Sequence, residues 1–233
     1  FLYYIFNSLL SKFNSSATHG GVFTNLTTNI IKEFELSLPP LPEQQTIASI
    51  LSTVDEKIEA IEGQIKETEH LKKGLMQRLL TKGIGHTKFQ SSPLGEIPES
   101  WEFVNIKNIA KVTSSKRIKQ SEYLNDGIPF YRSKEIIQKA KNEELDQLVY
   151  ISEERFKELK QKFGAPKKGD ILITAVGTIG IAYLVKDETF YFKDGNMLWL
   201  TSINHDIDKE FITYFFSSNA FKKIINMTIG GSS

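Results

Sequence analysis

The stretch Leu38–Gly83, LPPLPEQQTIASILSTVDEKIEAIEGQIKETEHLKKGLMQRLLTKG, begins with three prolines and then contains none. The first two prolines push the preceding backbone into an extended form, whereas Pro42 suits the first position of a helix, where a missing N–H costs nothing. Gly83 follows Lys82, as expected just past a helix end. The stretch therefore predicts one continuous helix from about Pro42 to Lys82, roughly 60 Å long.

Apolar side chains recur along this helix at alternating steps of four and three, which is typical of a coiled-coil seam. The seam consists of Ile47, Leu51, Val54, Ile58, Ile61, Ile65, Leu75 and Leu79. Acidic residues dominate 43–69 and basic residues 70–88, so two such helices attract each other only when they are antiparallel. We expect an antiparallel partner helix; the alternative is a solvated amphipathic helix lying on its own globular part.

Composition bounds the class of protein. The chain has 233 residues, 40% of them hydrophobic, which suffices for one large or two small domains with buried cores. Its net charge of +1 is no global signature of nucleic-acid binding, so any basic surface must be local. The lack of cysteine excludes disulfides and thiolate metal sites and fits a reducing cytoplasm. No apolar run approaches the length of a membrane span.

The two ends of the chain resemble each other. The segment FLYYIFNSLLSKFNSSATHGG from Phe1 aligns without gaps with FITYFFSSNAFKKIINMTIGG from Phe211, and eight positions are identical. Similarity at a fixed offset indicates a duplicated unit. We therefore expect a longer protein in which domain, helix, domain and helix alternate, and in which both ends of this chain are cut within a unit.

Residues 89–233 mix strand-like and helix-like patterns, which predicts a mixed α/β globular domain from which the coiled-coil helix projects. The expected elements are a strand leading into a turn at 127–136, a helix capped by Ser152, two buried strands around a glycine turn at 167–185, a pair of strands around Asp194 and Gly195, and helical structure from Asp208.

Motifs of catalysis are missing from the sequence. Gly177 and Gly180 lack the third glycine of a dinucleotide fingerprint, and the glycine spacing at 164–169 is not followed by Lys-Ser or Lys-Thr. The four histidines are scattered without metal-ligand spacing. Glu158-Leu-Lys160 matches a nuclease triplet, but such triplets are common in a chain with 24% charged residues. The sequence therefore predicts no catalytic or metal site.

Local basicity is the strongest indication of a binding surface. Residues 111–134 have a net charge of +4, and the candidate DNA contacts among them are Lys116, Arg117, Lys119, Tyr131, Arg132 and Lys134. Lysine and arginine neutralise phosphates, and arginine also pairs with a guanine edge. Arg132 is the expected base reader, because it follows a strand and Tyr131 beside it can hold its stem. The alternative is a solvated loop.

Four further residues are candidate DNA contacts because of their position. Thr174 and Thr178 flank the glycine turn and are within reach of a groove, although pairing between strands is the competing interpretation. His19 and Ser232 lie in glycine-rich stretches, predicted to be loops, where the backbone can approach a ligand. Ordinary turns are the alternative for both.

Several motifs together resemble those of type I restriction-modification specificity subunits. L-P-P-L-P-E-Q-Q followed by a long helix ending in L-M-Q-R-L-L-T-K-G resembles the conserved region of that family. L-G-E-I-P-E-S-W-E, I-P-F-Y-R-S-K-E-I and K-K-G-D-I-L-I-T-A-V-G-T-I-G resemble parts of its target-recognition domains. The resemblance covers nearly the whole chain. It implies the end of one recognition domain at 1–37, the conserved linker and helix at 38–88, and a second recognition domain, incomplete at its end, at 89–233.

The resemblance also implies a function. In this family two recognition domains each read one half of a split DNA sequence, and two conserved helices form an antiparallel coiled coil that spaces them. The subunit is not catalytic; it docks modification subunits, which carry S-adenosylmethionine, and restriction subunits in the full complex of the prokaryotic cytoplasm. Competing hypotheses are a coiled-coil adaptor that binds only proteins, a half-length subunit that acts as a homodimer through the long helix, and a stand-alone nuclease or methyltransferase.

Overall fold

The structure is a computed structural model that describes residues 1–8, 18–20, 23–25, 28–33, 35–93 and 95–230. It comprises two compact units, Phe1–Leu71 and Lys72–Ser233. Within the described ranges, no helix combines the length and the apolar character that crossing a bilayer requires.

The first unit begins with short elements that precede the long helix. These are α1 (Leu2–Ser8), β1 (Thr18–Gly20), β2 (Phe23–Asn25) and α2 (Thr28–Lys32). The two strands pair antiparallel, with His19 opposite Thr24. The prediction of a loop at His19 is therefore wrong, because its backbone is the centre of a strand; its side chain lies outside the described part of the structure.

The long helix α3 runs from Leu41 to Lys82 without interruption, over 42 residues, which confirms the predicted continuous helix. It passes through Gly63 and Gly74, where an added Cβ would meet nothing within 4 Å. Gly83 ends it in the left-handed conformation at φ +64°, and its N–H bonds the Leu79 carbonyl at 3.1 Å. Glycine fits that conformation because it has no Cβ to clash.

The second unit is built from three sheets and the helices packed on them. Its strands are β3 (Phe89–Ser92), β4 (Gly95–Pro98), β5 (Lys111–Thr113), β6 (Ile128–Tyr131), β7 (Val149–Ile151), β8 (Ile171–Thr174), β9 (Ala182–Leu184), β10 (Tyr191–Phe192) and β11 (Met197–Thr201). Its helices are α4 (Ile106–Ile109), α5 (Ser133–Lys141), α6 (Glu153–Phe163), α7 (Lys209–Phe216) and α8 (Asn219–Gly230).

The central sheet has the order β5-β11-β8-β9, with antiparallel neighbours throughout. Side chains alternate between its faces, as the pleat of a strand requires. Leu172 lies in one buried cluster with Ile136 of α5, whereas Ile171 lies in a second cluster with Ile212 and Phe216 of α7. A second sheet has the order β10-β6-β7, and β3 and β4 form a separate hairpin.

Most predicted elements of this unit are present. Ser152 caps α6 by accepting from the Arg155 N–H at 3.2 Å, and β8 and β9 flank the glycine turn as an antiparallel pair. Asp208 caps α7 in the same way, accepting from the Phe211 N–H at 2.6 Å. The helical structure beyond it divides at Ser217 into α7 and α8.

The predicted strands on either side of Asp194 and Gly195 are present as β10 and β11. They do not pair with each other: β10 pairs in parallel with β6 in one sheet, and β11 lies between β5 and β8 in another. One prediction for this unit is wrong, and it concerns the residues after β6. The predicted turn after β6 is the helix α5, because the Glu135 carboxylate accepts from the Arg132 N–H at 2.7 Å and caps its first turn. Local sequence patterns indicate strands and turns, but they do not show which distant strand each strand pairs with.

Candidate nucleic-acid interface

The basic segment after β5 is a loop held in place by bonds to distant elements. Ser114 Oγ donates to the Met197 carbonyl at 3.1 Å, and the Lys116 N–H donates to the Tyr191 hydroxyl at 3.1 Å. The Ile118 side chain is buried in a cluster with Phe130 and Ile151. Because the loop is anchored through its backbone and small side chains, the long side chains of Lys116, Arg117 and Lys119 remain exposed.

A concave surface of about 560 Å³ opens beside this loop. Its lining includes four cationic side chains and one acid; the full set is Arg117, Ile118, Lys119, Gln120, Tyr123, Arg132, Lys193 and Asp194. We call it the basic concavity. Gln120 and Arg132 add donors with defined directions to the positive charge of the lysines. Such a mixture suits a phosphate backbone with base edges beside it.

Arg117 and Lys119 are the exposed cations of the basic concavity. Within the described ranges, neither side chain has an ion pair or a hydrogen bond, so each keeps its full charge available. The loop backbone at these residues is held in place, because the Glu122 carboxylate accepts from the Lys119 N–H at 2.8 Å and pairs with Arg155 at 2.8 Å. Both residues remain predicted DNA contacts.

Arg132 is engaged with a buried carboxylate. Its Nη2 lies 2.5 Å from Oε1 of Glu135, a residue that is fully buried. Burial alone would raise the pKa of Glu135, but hydrogen bonds from the Arg132 guanidinium and backbone N–H groups outweigh it and hold that pKa below its usual value. Arg132 thus stabilises the start of α5, and a role in reading bases stays a prediction.

Tyr131 cannot serve as the predicted contact or hold the stem of Arg132. Its side chain is only 5% exposed and stacks on Phe190 with ring centroids 4.5 Å apart. Its hydroxyl donates to Glu188 Oε2 at 3.3 Å. Burial, followed by the Glu188 charge, raises the pKa of Tyr131. The prediction is wrong because both faces of β6 are covered: Phe130 and Tyr131, which are adjacent in the strand, are both buried.

Lys116 and Lys134, also predicted contacts, remain exposed but have neighbours. Lys116 Nζ lies 4.9 Å from the centre of the Phe163 ring. Lys134 pairs with Asp146 at 3.0 Å, and both side chains are at least half exposed. Exposed pairs of this kind contribute little to stability and exchange readily for another anion. Both lysines are therefore free to approach a phosphate, and their DNA contact stays a prediction.

Thr174 and Thr178, which flank the glycine turn, differ in their exposure to solvent. Thr174 is fully buried; its hydroxyl donates to the Thr178 carbonyl, and its Oγ1 accepts from the Ile181 N–H at 3.0 Å. It closes the turn from inside, so the prediction that it contacts DNA is wrong. Thr178 lies exposed on the turn beside Val176 and Ile179 and stays a candidate. Ser232 lies outside the described residues.

Sequence reasoning missed Lys193 and Gln120, which also line the basic concavity. Lys193 arrives there because its N–H donates to the Tyr131 carbonyl at 2.9 Å, in line with the parallel pairing of β10 and β6. No local signal marks that pairing, since a parallel partner lies far away in sequence. Gln120 carries no charge, so the local basicity of the sequence does not indicate it.

The side chains of the predicted seam are largely exposed. Val54, Ile58, Ile61 and Ile65 are between 50% and 54% exposed, and Leu75 and Leu79 are 46% and 40% exposed; Ile47 and Leu51 are partly buried. A row of half-exposed apolar residues at this spacing is typical of a helix that pairs with another. In the described part of the chain, no group of three or more His, Cys, Asp or Glu residues has the arrangement of a metal site.

The described residues thus combine a long helix that carries an apolar seam with a mixed α/β unit that has an exposed basic concavity. The chain belongs to the type I restriction modification DNA specificity domain family, whose model matches residues 1–70 and 98–233. The resemblance seen in the sequence motifs is thereby confirmed.

Sequence similarity to individual proteins supports the same family. The chain is 32% identical over 241 residues to the type I restriction enzyme MjaVIII specificity subunit of Methanocaldococcus jannaschii, covering 98% of this chain and 55% of that protein. A putative type I restriction enzyme specificity subunit of Haemophilus influenzae is 29% identical over 192 residues, covering 82% and 46%. The chain thus spans about half the length of the curated relatives it matches.

A solved structure supports the fold. The type I restriction-modification system S subunit from M. genitalium superimposes with a TM-score of 0.55 at 18% identity, covering all of this chain and 56% of that one. At this identity the likeness concerns the fold alone, and it confirms the predicted mixed α/β architecture with a long helix.

Proposed function

We propose that the chain is part of the DNA-recognition and scaffold subunit of a type I restriction-modification complex. Its second unit would read one half of a split duplex target, and α3 would space it from a second recognition domain. The observation that carries the proposal is the basic concavity, where Arg117 and Lys119 have no ion-pair partner among the described residues, in a chain of the DNA specificity domain family.

The proposal assigns the chemistry to other subunits. The chain would dock modification subunits that bind S-adenosylmethionine, and restriction subunits in the full complex, without catalysing a reaction itself. Such a complex would act in the prokaryotic cytoplasm. The helix would contribute geometry, because a rigid rod of roughly 60 Å fixes the distance between two half-sites.

Salt dependence of DNA binding tests the proposal. The full chain is titrated with a mixed-sequence duplex at several salt concentrations, beside Arg117→Ala, Lys119→Ala and their double variant. Each lost phosphate contact should lower affinity for all sequences alike and reduce the salt slope by about one. The matched control is Lys157→Ala, which removes an exposed lysine that pairs with Glu153 on α6.

Two results contradict the proposal in different ways. If the chain does not bind duplex DNA at low salt, the competing hypothesis of a protein-only adaptor is favoured. If it binds but Lys157→Ala alters the slope as much as the double variant does, DNA binding stands and its assignment to the basic concavity fails.

The half-length homodimer remains a second candidate, favoured by the exposed seam of α3. In that arrangement two copies would pair their helices antiparallel, so that the acidic half of each meets the basic half of the other. Sedimentation at tens of micromolar separates the two candidates: a two-fold dimer is expected for the homodimer, and a compact monomer excludes it.

A further inference from the structure

The basic concavity contains an acid, Asp194, on a surface whose other charged side chains are cations. These cations are Arg117, Lys119, Arg132 and Lys193. Among the described residues, the Asp194 carboxylate makes no ion pair or hydrogen bond with these cations or with any other group. It therefore does not hold a neighbouring cation in place, and its oxygens remain available to accept from a ligand.

Two other acids lie in or next to the basic segment, and both have a partner. Glu122 pairs with Arg155 at 2.8 Å, and Glu135 pairs with Arg132 at 2.5 Å and is buried. Asp194 differs from them because it is partly exposed and lines the basic concavity. Its charge therefore acts on whatever approaches that surface.

Asp194 lies on a short turn whose two ends are fixed. The turn connects β10 to β11. Before Asp194, the Lys193 N–H donates to the Tyr131 carbonyl of β6 at 2.9 Å; after it, the Asn196 carbonyl accepts from the Ala175 N–H at 2.8 Å. Because the backbone is bonded on both sides of Asp194, the turn is held in one position, as the recognition of a single base requires.

The Asp194 carboxylate opposes the attraction between the basic concavity and the DNA backbone. Like charges repel over about 10 Å at 0.1 M salt, and the phosphates of every sequence carry the same charge. A surface that bound only the backbone would therefore bind DNA more tightly without this acid. A base that donates a hydrogen bond to the carboxylate would offset the repulsion, whereas a base without a donor would not.

Two bases present such a donor at the major-groove edge, cytosine through its N4 amino group and adenine through its N6 amino group. Guanine O6 and thymine O4 are acceptors there, and a carboxylate repels them. We propose that Asp194 is a specificity-determining residue that accepts a hydrogen bond from the exocyclic amino group of a cytosine or an adenine in the half-site. This assignment rests on the proposed function, DNA recognition by the second unit, and adds the residue that rejects guanine and thymine at one position.

Selection from a randomised DNA library tests the assignment. The full chain is incubated at low salt with short duplexes of random sequence, and the bound duplexes are sequenced for the wild type, Asp194→Ala and Asp187→Ala. The wild type should prefer cytosine or adenine about tenfold at one position, and the enriched base identifies the amino group that is read. In Asp194→Ala that preference should disappear, while affinity for unselected duplexes should rise because a negative charge is removed.

Asp187→Ala is the matched control. Asp187 is an exposed acid in the loop between β9 and β10, it is not among the residues that line the basic concavity, and its removal changes the net charge equally. This variant should keep the sequence preference of the wild type. Because the Asp194 carboxylate makes no bond among the described residues, Asp194→Ala should keep the circular dichroism of the wild type; loss of that spectrum would show that the carboxylate is structural and would overturn the assignment.

Removal of the amino group from the DNA gives a second test that leaves the protein unaltered. In a selected duplex the preferred cytosine is replaced by 2-pyrimidinone, or the preferred adenine by purine, each of which lacks the amino group. The wild type and Asp187→Ala should lose about tenfold in affinity, since each loses one hydrogen bond to a charged group. Asp194→Ala should lose less than about twofold, because the two changes remove the same interaction.

The outcomes separate this assignment from the proposed function. If the wild-type chain does not bind duplex DNA, both fail together. If it binds but prefers neither cytosine nor adenine at any position, or if Asp194→Ala keeps the preference, the assignment is overturned and DNA binding stands. An equal loss of affinity by the wild type and Asp194→Ala on the base analogue also overturns it, because the amino group would then act without the carboxylate.

Discussion

The central sheet and the long helix differ in the burial of their apolar side chains. Ile171 and Leu172 of β8 are fully buried, one on each face of the sheet, whereas Ile58 and Ile61 of α3 are about half exposed. Both sets follow the spacing that their secondary structure requires. The difference shows that the spacing of apolar residues predicts a helix or a strand. It does not predict whether the rest of the same chain buries those apolar residues.

The two regions therefore obtain their stability from different sources. The sheet buries its apolar surface within the unit, and each fully buried aliphatic side chain contributes about 1.5–3 kcal/mol relative to an exposed one. The helix has little to gain from its own chain along the seam, because most helical stability in proteins comes from packing of an apolar face. A partner that covers the seam would complete it, which is consistent with a role in assembly.

The largest expected effect is a loss of packing in the central sheet. Leu172→Ala should lower the free energy of unfolding by about 2–5 kcal/mol, because a fully buried side chain leaves a cavity. Urea denaturation followed by tryptophan fluorescence measures the change, since Trp199 lies in the same buried cluster. A loss below that expected for an exposed site would show that this core is not the stabilising centre.

Much of this contrast was predictable from sequence, and the failures have physical reasons. The helix follows from local rules: proline placement, seam spacing and the closing Gly83. The pairing of β10 with β6 does not, because the register of a parallel pair depends on residues far apart in the chain. The same limit explains the site: Arg117 and Lys119 follow from local charge, whereas Lys193 reaches the concavity only through tertiary pairing.

Burial also separates candidate residues that composition cannot distinguish. Tyr131 and Thr174 carry the polar groups of a DNA contact, yet both are buried and bonded inside the domain. Neither the residue type nor the neighbouring sequence shows that Glu188 accepts a hydrogen bond from the Tyr131 hydroxyl. A hydroxyl on an apolar strand is equally compatible with either face, and the fold decides which face is covered.

A smaller effect is expected from the ion pair that starts α5. The pKa of Glu135 is lowered in the folded chain, so its contribution to stability is complete above its unfolded pKa of about 4.3 and is lost as the pH falls through the folded pKa. Glu135→Gln should cost about 1–3 kcal/mol at neutral pH and flatten the acid limb of the stability profile. Thermal unfolding between about pH 6 and about pH 3 measures both quantities.

The control for the ion pair is Glu62→Gln on the exposed part of α3, which should keep the acid limb of the wild type. An unchanged acid limb in Glu135→Gln would mean that this pair does not contribute to the pH dependence of the domain.

The smallest effect on the lone chain is expected at the seam. Ile58→Ala should change the free energy of unfolding by less than about 0.5 kcal/mol in a monomer, because the side chain is half exposed. Its effect should appear instead in association, as a lower dimer fraction in sedimentation velocity. A stability loss comparable to that of Leu172→Ala would show that the seam is already packed within one chain.

Contact between the basic concavity and DNA is tested most directly by lysine footprinting. The chain is acetylated briefly with and without duplex DNA at low salt, and the modification of each lysine is read by mass spectrometry. We predict that DNA protects Lys119 and Lys193, which line the concavity, and leaves Lys157 and Lys162 on α6 as reactive as before. Equal protection of all four lysines, or protection confined to α6, would contradict the claim.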